Sequence, residues 1–194
     1  IFQGAHTNVD QRGMGTTLTA MVVLADQGGG ARLAVLNVGD SRTYVLRNGR
    51  LRRVTVDHSY VQELVSTGHI TEAEARNHQR RNIVTRALGI EPSVRVDTWV
   101  LPFVRGDRYV LCSDGLVDEV DDEEIASVLA VHASPQAAAE GLVAVANRNG
   151  GRDNVTVVVV DSLEGDVPPP DSADLEIDLS WDEPGQADRL VDAE

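Results

Sequence analysis

Apolar residues in the first third of the chain recur in short runs, several alternating with polar residues, which is the pattern of β-strands with a buried face. Asn48-Gly49 lies between two of these runs, and this dipeptide is a strong signal for a two-residue hairpin turn. Short links of this kind favour antiparallel pairing of neighbouring strands. The pattern predicts strands at 17–24, 31–38, 41–48 and 50–56.

The pattern changes after the fourth predicted strand. Residues 60–77 favour two short helices, the second capped by Thr71 with Glu74 three residues later. A further helix is predicted after Asp121, because its first turn carries acids that suit the positive end of a helix. An Ala-rich helix follows over 135–148 and ends at a glycine pair.

Three more strands are predicted from apolar runs near 94–100, 107–113 and 155–161. The helices occur in groups and do not alternate regularly with the strands. This order favours an α+β fold in which antiparallel sheets pack against helices.

The net charge of −14 is concentrated at one end of the chain. Residues 164–194 contain eleven acids and a single arginine, which accounts for −10 of the total. The run Pro168 to Pro170 and the scarcity of large apolar residues predict a disordered acidic tail there, although Leu175 to Trp181 alternate with acids and leave a partner-binding strand open. We therefore expect a folded domain over 1–163 and a tail over 164–194.

Several classes of protein are excluded by the composition. The folded part is mildly acidic, so we expect no nucleic-acid partner. The longest apolar run, at 155–160, has the length of a strand, so we expect no membrane span, and nothing near residue 1 has the pattern of an export signal. The lone Cys112 fits a reducing cytoplasm and is predicted to be a buried structural thiol.

Three aspartates lie at predicted strand ends and are the candidates for chemistry. Asp40 and Asp114 each adjoin a glycine after an apolar strand, and Asp153 precedes the last strand. Carboxylates gathered at strand ends form an oxygen-rich site that suits a hard cation such as Mg²⁺ or Mn²⁺. Aspartate and glycine are also common in turns and caps, so a purely structural role for these three positions remains open. The pattern does not identify a substrate.

Six blocks of sequence, in order and with matching spacing over about 12–161, resemble the PP2C-type (PPM) metal-dependent Ser/Thr protein phosphatases. The similarity is greatest to the bacterial branch that reverses Ser/Thr kinase signalling. The sporulation and stress-response branch is less similar in its Gly-Thr-Thr block. The blocks are GMGTTLTA (13–20), NVGDSRTYVLRNGRL (37–51), DHS (57–59), NIVTRALG (82–89), DRYVLCSDGL (107–116) and GRDNVTVVVV (151–160).

The resemblance implies a PP2C-like α-β-β-α sandwich with a metal cluster at one end. It implies that Asp114 and Asp153 are ligands of two core Mn²⁺ or Mg²⁺ ions and that Asp40 helps Asp114 to hold a third. The expected activity is dephosphorylation of phosphoserine and phosphothreonine proteins by a metal-activated water, in the cytoplasm. Phosphoproteins, including a partner Ser/Thr kinase, are the expected partners.

The resemblance also assigns a mobile flap beside the active site to residues 57–82. His58, His69 and His78 lie in or near this segment, and we expect surface or capping roles for them. The block that contains Gly13, Gly15 and Thr16 is expected to shape a strand beneath the site, without a catalytic role.

The sequence departs from the family pattern at its beginning. Residues 1–11 read as the end of a helix, and the family's phosphate-gripping Arg strand, Asn-Glu-Asp block and Asp-Gly-x-Gly-Gly block do not occur. We therefore expect the fold to lack its first strands and the chain alone to bind metal weakly and show little or no activity. A non-catalytic pseudophosphatase or protein-interaction remnant of the same fold remains the alternative, and so does a hydrolase of small phosphate esters.

Overall fold

The computed structural model describes residues 1–7, 13–25 and 30–168. Within these ranges no helix is both long and apolar enough to cross a membrane. Most of the predicted acidic tail lies outside the described residues. The elements in chain order are α1 (Phe2–Thr7), β1 (Leu18–Ala25), β2 (Ala31–Val38), β3 (Arg42–Arg47), β4 (Arg50–Arg53), α2 (Tyr60–Ser66), α3 (Glu72–Arg76), β5 (Asp97–Pro102), β6 (Arg108–Cys112), α4 (Asp114–Val117), α5 (Asp122–Val131), α6 (Pro135–Asn149) and β7 (Val157–Asp161).

The strands form two sheets in which every pairing is antiparallel. One sheet has the order β1-β2-β5 and the other has the order β4-β3-β6-β7. The predicted α+β class with antiparallel sheets and helices is therefore confirmed. The order also shows that β6 pairs with two strands that are distant in the chain. The elements from β4 to β5 lie between β3 and β6, and the helices α4 to α6 lie between β6 and β7.

Alternation along the strands of the second sheet separates two cores. Val45 and Tyr109 point toward the first sheet and pack with Leu33, Val35 and Trp99. The neighbouring residues on the same strands point the other way, toward the helices, because successive strand side chains face opposite sides. That second cluster contains Tyr44, Val110, Cys112, Leu116, Val120, Ile125, Leu129, Ala138, Leu142, Val145 and Ala146.

Cys112 lies within the helix-facing core, as the sequence predicts. Only 3% of its surface is exposed, and burial raises the pKa of its thiol to about 12. A thiol in this state is inert toward ordinary nucleophilic chemistry, so its role is packing.

Most predicted elements occur close to their expected positions, and the local signals that defined them are present. Asn48 and Gly49 both have positive φ, 51° and 75°, as the two-residue hairpin turn requires. Thr71 and Glu74 form the predicted capping box, and Asp121 caps α5. The one-turn helix α4, directly after β6, was not predicted.

Strand β4 is shorter than its predicted range of 50–56, and a side chain explains why. Thr55 Oγ1 accepts the hydrogen bond from the backbone N–H of Thr43 at 3.1 Å. This donor belongs to β3, so the hydroxyl takes the place that a backbone carbonyl would have in a continued ladder. The chain then leaves the sheet toward 57–59.

The two sheets differ in width, and this leaves apolar side chains uncovered among the described residues. Val160 pairs with Tyr109, so it lies on the face of β7 that points between the sheets. It is 36% exposed, Val158 on the same face is 51% exposed, and Val23 on β1 is 59% exposed. An open apolar edge of this kind favours association.

A buried ion pair stabilises the end of the second sheet where β3 finishes and β6 begins. Arg47 donates from Nε and Nη2 to the two carboxylate oxygens of Asp107 at 2.7 and 2.6 Å, and Tyr109 donates its hydroxyl at 2.8 Å. The Asp107 side chain is fully buried and that of Arg47 is 8% exposed. A charge pair desolvated to this degree depends on both partners.

We predict that Asp107→Asn lowers the free energy of unfolding by about 3–5 kcal/mol, because it leaves the Arg47 guanidinium buried without its counter-charge. Urea denaturation followed by circular dichroism measures the change. The double variant Arg47→Met/Asp107→Leu should lose less, since it removes both charges. Equal losses in the single and double variants would contradict this account.

Candidate functional site

Asp40 stands at the end of β2, on a turn that only glycine can make. Gly39 has φ 104°, and a Cβ on this residue would collide with the side chain of Thr17. Thr17 Oγ1 is in turn hydrogen-bonded to Ser41 Oγ at 2.8 Å. The turn leaves Asp40 half-buried beyond the end of the strand.

Asp114 follows β6 and is the first residue of α4. Its Oδ1 accepts a hydrogen bond from the backbone N–H of Gly115 at 2.9 Å, which orients the carboxylate. Gly115 lies directly against the carbonyl of Asn154, and a side chain at this position would collide with it. The glycine therefore allows the loop that contains Asp153 and Asn154 to approach Asp114.

Ser113 fixes that loop to the end of β6. Its hydroxyl donates to the carbonyl of Asn154 at 3.2 Å and accepts from the backbone N–H of Thr156 at 3.0 Å. The backbone N–H of Ser113 also donates to the carbonyl of Thr156 at 3.1 Å. These bonds bring Asp153 to the vicinity of Asp114, although the two residues are far apart in the sequence.

The carboxylates at this end of the sheets repel one another. Burial raises the pKa of Asp40 to about 6, and the negative charge of Asp114 adds to the increase. Burial also raises the pKa of Asp114, with further contributions from Asp153 and Asp118. Since a divalent cation would offset this charge, the electrostatics fit the predicted hard-metal site.

The geometry brings the three predicted ligands only partly together. Asp40 and Asp114 line one cleft, whereas Asp153 is exposed beside Asp114 and is not part of the cleft lining. Among the described residues, no group of three or more His, Cys, Asp or Glu side chains is arranged to hold a metal ion. The donor chemistry fits Mn²⁺ or Mg²⁺, but the described chain supplies an incomplete coordination set.

The cleft has a volume of about 660 Å³ and a strongly polar lining. Besides Asp40 and Asp114, acids from α4 and α5 and several arginines face it. This mixture of acids and arginines could accommodate a cation and an anionic group side by side. The charged lining residues are Asp40, Arg42, Arg53, Asp57, Glu72, Arg76, Arg81, Asp114, Asp118, Asp122 and Arg152.

Residues 57–82, the predicted flap, form one wall of the cleft. Neither α2 nor α3 contains a buried residue. Two ion pairs cross from this wall to the opposite side, Arg76 to Asp122 and Arg81 to Asp118, each at 3.5 Å and partly exposed. Such contacts are weak, and the mobility of this segment stays a prediction.

The start of this segment is held much more firmly. Arg42 donates from Nε and Nη2 to the Asp57 carboxylate at distances between 2.6 and 3.0 Å. The Asp57 side chain is 7% exposed. The sequence analysis did not identify this pair, because the two residues are 15 positions apart and their contact depends on how the chain folds between them.

The three histidines in or near this segment differ in how deeply they are buried. His69 is exposed and His78 is half-buried, in line with the predicted surface or capping roles. The same prediction is wrong for His58, which is 6% exposed. The fold tolerates this burial because both ring nitrogens have polar partners. Nδ1 accepts from the backbone N–H of Gly39, and Nε2 lies 2.9 Å from the Asp97 carboxylate.

Asp118 is a further acid of the site that the sequence analysis missed. It lies one turn after Asp114, and its charge contributes to the raised pKa of that residue. The spacing of four would have indicated a shared helical face, but α4 was not predicted.

The Gly13 to Thr16 block, which was expected to have a structural role, makes a structural contact. Thr16 exchanges two backbone hydrogen bonds with Leu88.

We predict that Asp40→Asn stabilises the metal-free chain at neutral pH. The pKa of the Asp40 carboxyl is about 6 in the folded chain and has its ordinary value of 3.8 when the chain is unfolded. The folded state therefore binds more protons between these values and loses stability as the pH rises through them. Removing the charge should raise the free energy of unfolding by about 1–2 kcal/mol at pH 7, after allowance for partial exposure. The gain should vanish near pH 4.

Urea denaturation in the presence of a chelator, at both pH values, measures this difference. A gain that is equal at the two pH values would contradict the charge-repulsion account. Added Mn²⁺ should stabilise the original chain more than the variant, because only the original chain retains the Asp40 carboxylate.

Comparisons with known proteins show the family to which this chain belongs. The family model described as "Stage II sporulation protein E (SpoIIE)" matches residues 3–162. The serine/threonine phosphatase stp of Listeria welshimeri is 45% identical over 157 residues, which is 81% of this chain and 60% of the relative. The chain thus spans about 60% of the length of this curated relative.

Solved structures show the same fold. The crystal structure of the Mycobacterium tuberculosis serine/threonine phosphatase PstP/Ppp has a TM-score of 0.71 and 42% identity, and the match covers 84% of this chain and 66% of that one. The catalytic domain of PstP in complex with two manganese ions has a TM-score of 0.70 and 40% identity, with coverage of 84% and 65%. The chain therefore belongs to the PP2C-type family of bacterial Ser/Thr phosphatases, which the sporulation-type family model also recognises.

Proposed function

We propose that this chain contributes to the metal-dependent hydrolysis of phosphoserine and phosphothreonine on proteins. The observation that carries the proposal is the single cleft that Asp40 and Asp114 both line, each with a raised pKa. Excess negative charge at the end of two sheets suits a divalent cation. The relative from Listeria welshimeri is named a serine/threonine phosphatase, and a related structure is named as a complex with two manganese ions.

In this proposal Asp114 and Asp153 hold the two core Mn²⁺ or Mg²⁺ ions, and Asp40 joins Asp114 at a third. Ions bound there would supply a water activated for attack on phosphorus and would offset charge on the phosphate oxygens. In the reaction the water oxygen forms a bond to phosphorus while the bond to the Ser or Thr oxygen breaks. The products are the free hydroxyl side chain and inorganic phosphate.

The arginines of the cleft would bind the phosphoprotein. Arg76 and Arg81 make only long, partly exposed ion pairs at 3.5 Å, so a phosphate or an acidic side chain could replace their present partners at small cost. Arg42 is different, because its close bidentate pair with the buried Asp57 gives it a structural role. Phosphorylated proteins of the cytoplasm, including Ser/Thr kinases, are the partners that this lining suits.

The incomplete coordination set limits what this chain does alone. Because the described residues bring fewer than three candidate metal-binding side chains together, we expect weak metal binding and slow turnover. The same observation favours the alternative of a non-catalytic phosphoprotein-binding module. The two functions share the cleft and differ in whether the bound phosphate is hydrolysed.

We predict that this chain hydrolyses an aryl phosphate slowly in Mn²⁺, and that joining it to the N-terminal segment of the Listeria welshimeri relative restores turnover. Asp114→Ala or Asp153→Ala in the joined protein should reduce kcat/KM at least about a hundredfold, by loss of a metal-binding carboxylate. The measurement is release of the aryl alcohol with and without Mn²⁺.

Glu164→Ala removes an exposed carboxylate outside the cleft and is the matched control, which should retain full activity. If the joined protein folds, binds a phosphopeptide and shows no Mn²⁺-dependent turnover, the binding-module function replaces the proposed one. Rapid turnover by the present chain would contradict the expectation drawn from its incomplete coordination set.

A further inference from the structure

The backbone of Gly39, the residue before Asp40, is held by three hydrogen bonds that involve two side chains and one backbone group. The backbone N–H of Gly39 donates to His58 Nδ1 at 3.0 Å, and the backbone N–H of His58 donates to the carbonyl of Gly39 at 2.9 Å. Asn37 Nδ2 donates to the same carbonyl at 3.1 Å. Both polar backbone atoms of Gly39 are therefore engaged, and His58 engages each of them.

The ring of His58 is itself held by the buried carboxylate of Asp97. Because Nδ1 accepts a hydrogen bond, the neutral ring carries its proton on Nε2, which donates to Asp97 Oδ2 at 2.9 Å. Arg86 Nη1 donates to the other oxygen of Asp97 at 2.7 Å and lies 2.8 Å from His58 Nε2. Burial alone would raise the pKa of Asp97, but the hydrogen bonds from His58 and Arg86 outweigh it and lower the pKa.

This cluster connects three parts of the fold, and two of its residues directly adjoin residues that line the cleft: Gly39 precedes Asp40, and His58 lies between Asp57 and Ser59. Asp97 is the first residue of β5, where it pairs with Asn37 of β2, and His58 comes from the segment that begins the flap. The His58 and Asp97 side chains are only 6% and 5% exposed. Polar groups buried to this degree carry a desolvation cost, which an apolar side chain at the same position would not have.

We propose that His58 is a positioning residue that fixes the Gly39 turn and so aims the carboxylate of Asp40 into the cleft. Asp97 accepts the Nε2 proton and so favours the tautomer that accepts the Gly39 hydrogen bond, while Arg86 holds the Asp97 carboxylate in place. The role corresponds to that of an outer-shell partner, which acts on a metal ligand through its neighbours. The inference rests on the proposed metal-binding function of Asp40, and it concerns the backbone beside this residue.

Two substitutions separate this role from simple packing. His58→Asn places an amide oxygen near the position of Nδ1, so it retains an acceptor for Gly39 and loses the contact with Asp97. His58→Gln places its terminal amide near the position of Nε2, so it retains the contact with Asp97 and loses the acceptor. Both variants leave a similar cavity, and a packing role would affect them alike.

The experiment compares the two variants of the full chain by NMR and by Mn²⁺ titration. In His58→Asn we expect the Gly39 amide to keep its protection from hydrogen exchange and the dissociation constant for Mn²⁺ to change less than about threefold. In His58→Gln we expect loss of that protection, displaced Asp40 amide and carboxyl resonances, and an increase of about tenfold or more in the dissociation constant.

Asp107→Asn is the control for stability, since it breaks a buried ion pair at the opposite end of the second sheet. It should lower the melting temperature without changing Mn²⁺ affinity or the Gly39 and Asp40 resonances. If the two His58 variants behave alike in NMR, the positioning role is refuted. If the unsubstituted chain binds no Mn²⁺, the proposed metal site fails, while the NMR comparison still decides whether His58 positions the turn.

Discussion

The backbone hydrogen bonds that hold β6 between β3 and β7 determine where almost every other part of the molecule lies. Side chains of β6 enter both cores, with Tyr109 between the sheets and Val110 against the helices. Ser113 and Asp114 follow the last residue of this strand, so the register of β6 determines where the candidate site lies relative to the sheets. A shift of one residue would exchange the two faces and remove Asp114 from the loop that contains Asp153.

The acids of the molecule differ in how their charge is balanced, and this difference separates structural acids from candidate ligands. Asp57, Asp97 and Asp107 are buried and each forms a close ion pair with an arginine. Asp40 and Asp114 are less buried, yet their pKa values are raised, because burial and neighbouring acids act in the same direction. The fold therefore pairs these three buried carboxylates with its own arginines, whereas the pKa values of Asp40 and Asp114 stay raised.

Much of this arrangement could be predicted from the sequence because it depends on local pattern. Alternating apolar residues located the strands, the Asn-Gly dipeptide located a hairpin, and Thr71 and Asp121 located helix starts. The three aspartates were identifiable because each stands where an apolar run meets a turn. The residues suggested a hard-cation site, and the role of each ligand came from the family resemblance. Of the three aspartates, the structure brings only Asp40 and Asp114 into the cleft lining.

The parts that could not be predicted depend on contacts between distant segments. His58 lies in a polar stretch without periodicity, so nothing in the sequence marks its ring as buried against Gly39 and Asp97. The one-turn helix α4 is too short to show a period, and Asp118 was missed with it. The arginine partners of Asp57, Asp97 and Asp107 could not be predicted either, because each ion pair forms only when distant parts of the chain come together.

The position of β6 also has a consequence for the order in which the molecule folds. The β1–β2 and β3–β4 hairpins close short loops, whereas β3 meets β6 only after the intervening chain has been brought together. Closing long loops costs entropy before their contacts form, so such pairings tend to come late. Asp40 and Asp114 meet only through this late step. A partly folded chain would therefore carry both acids without bringing them into one cleft.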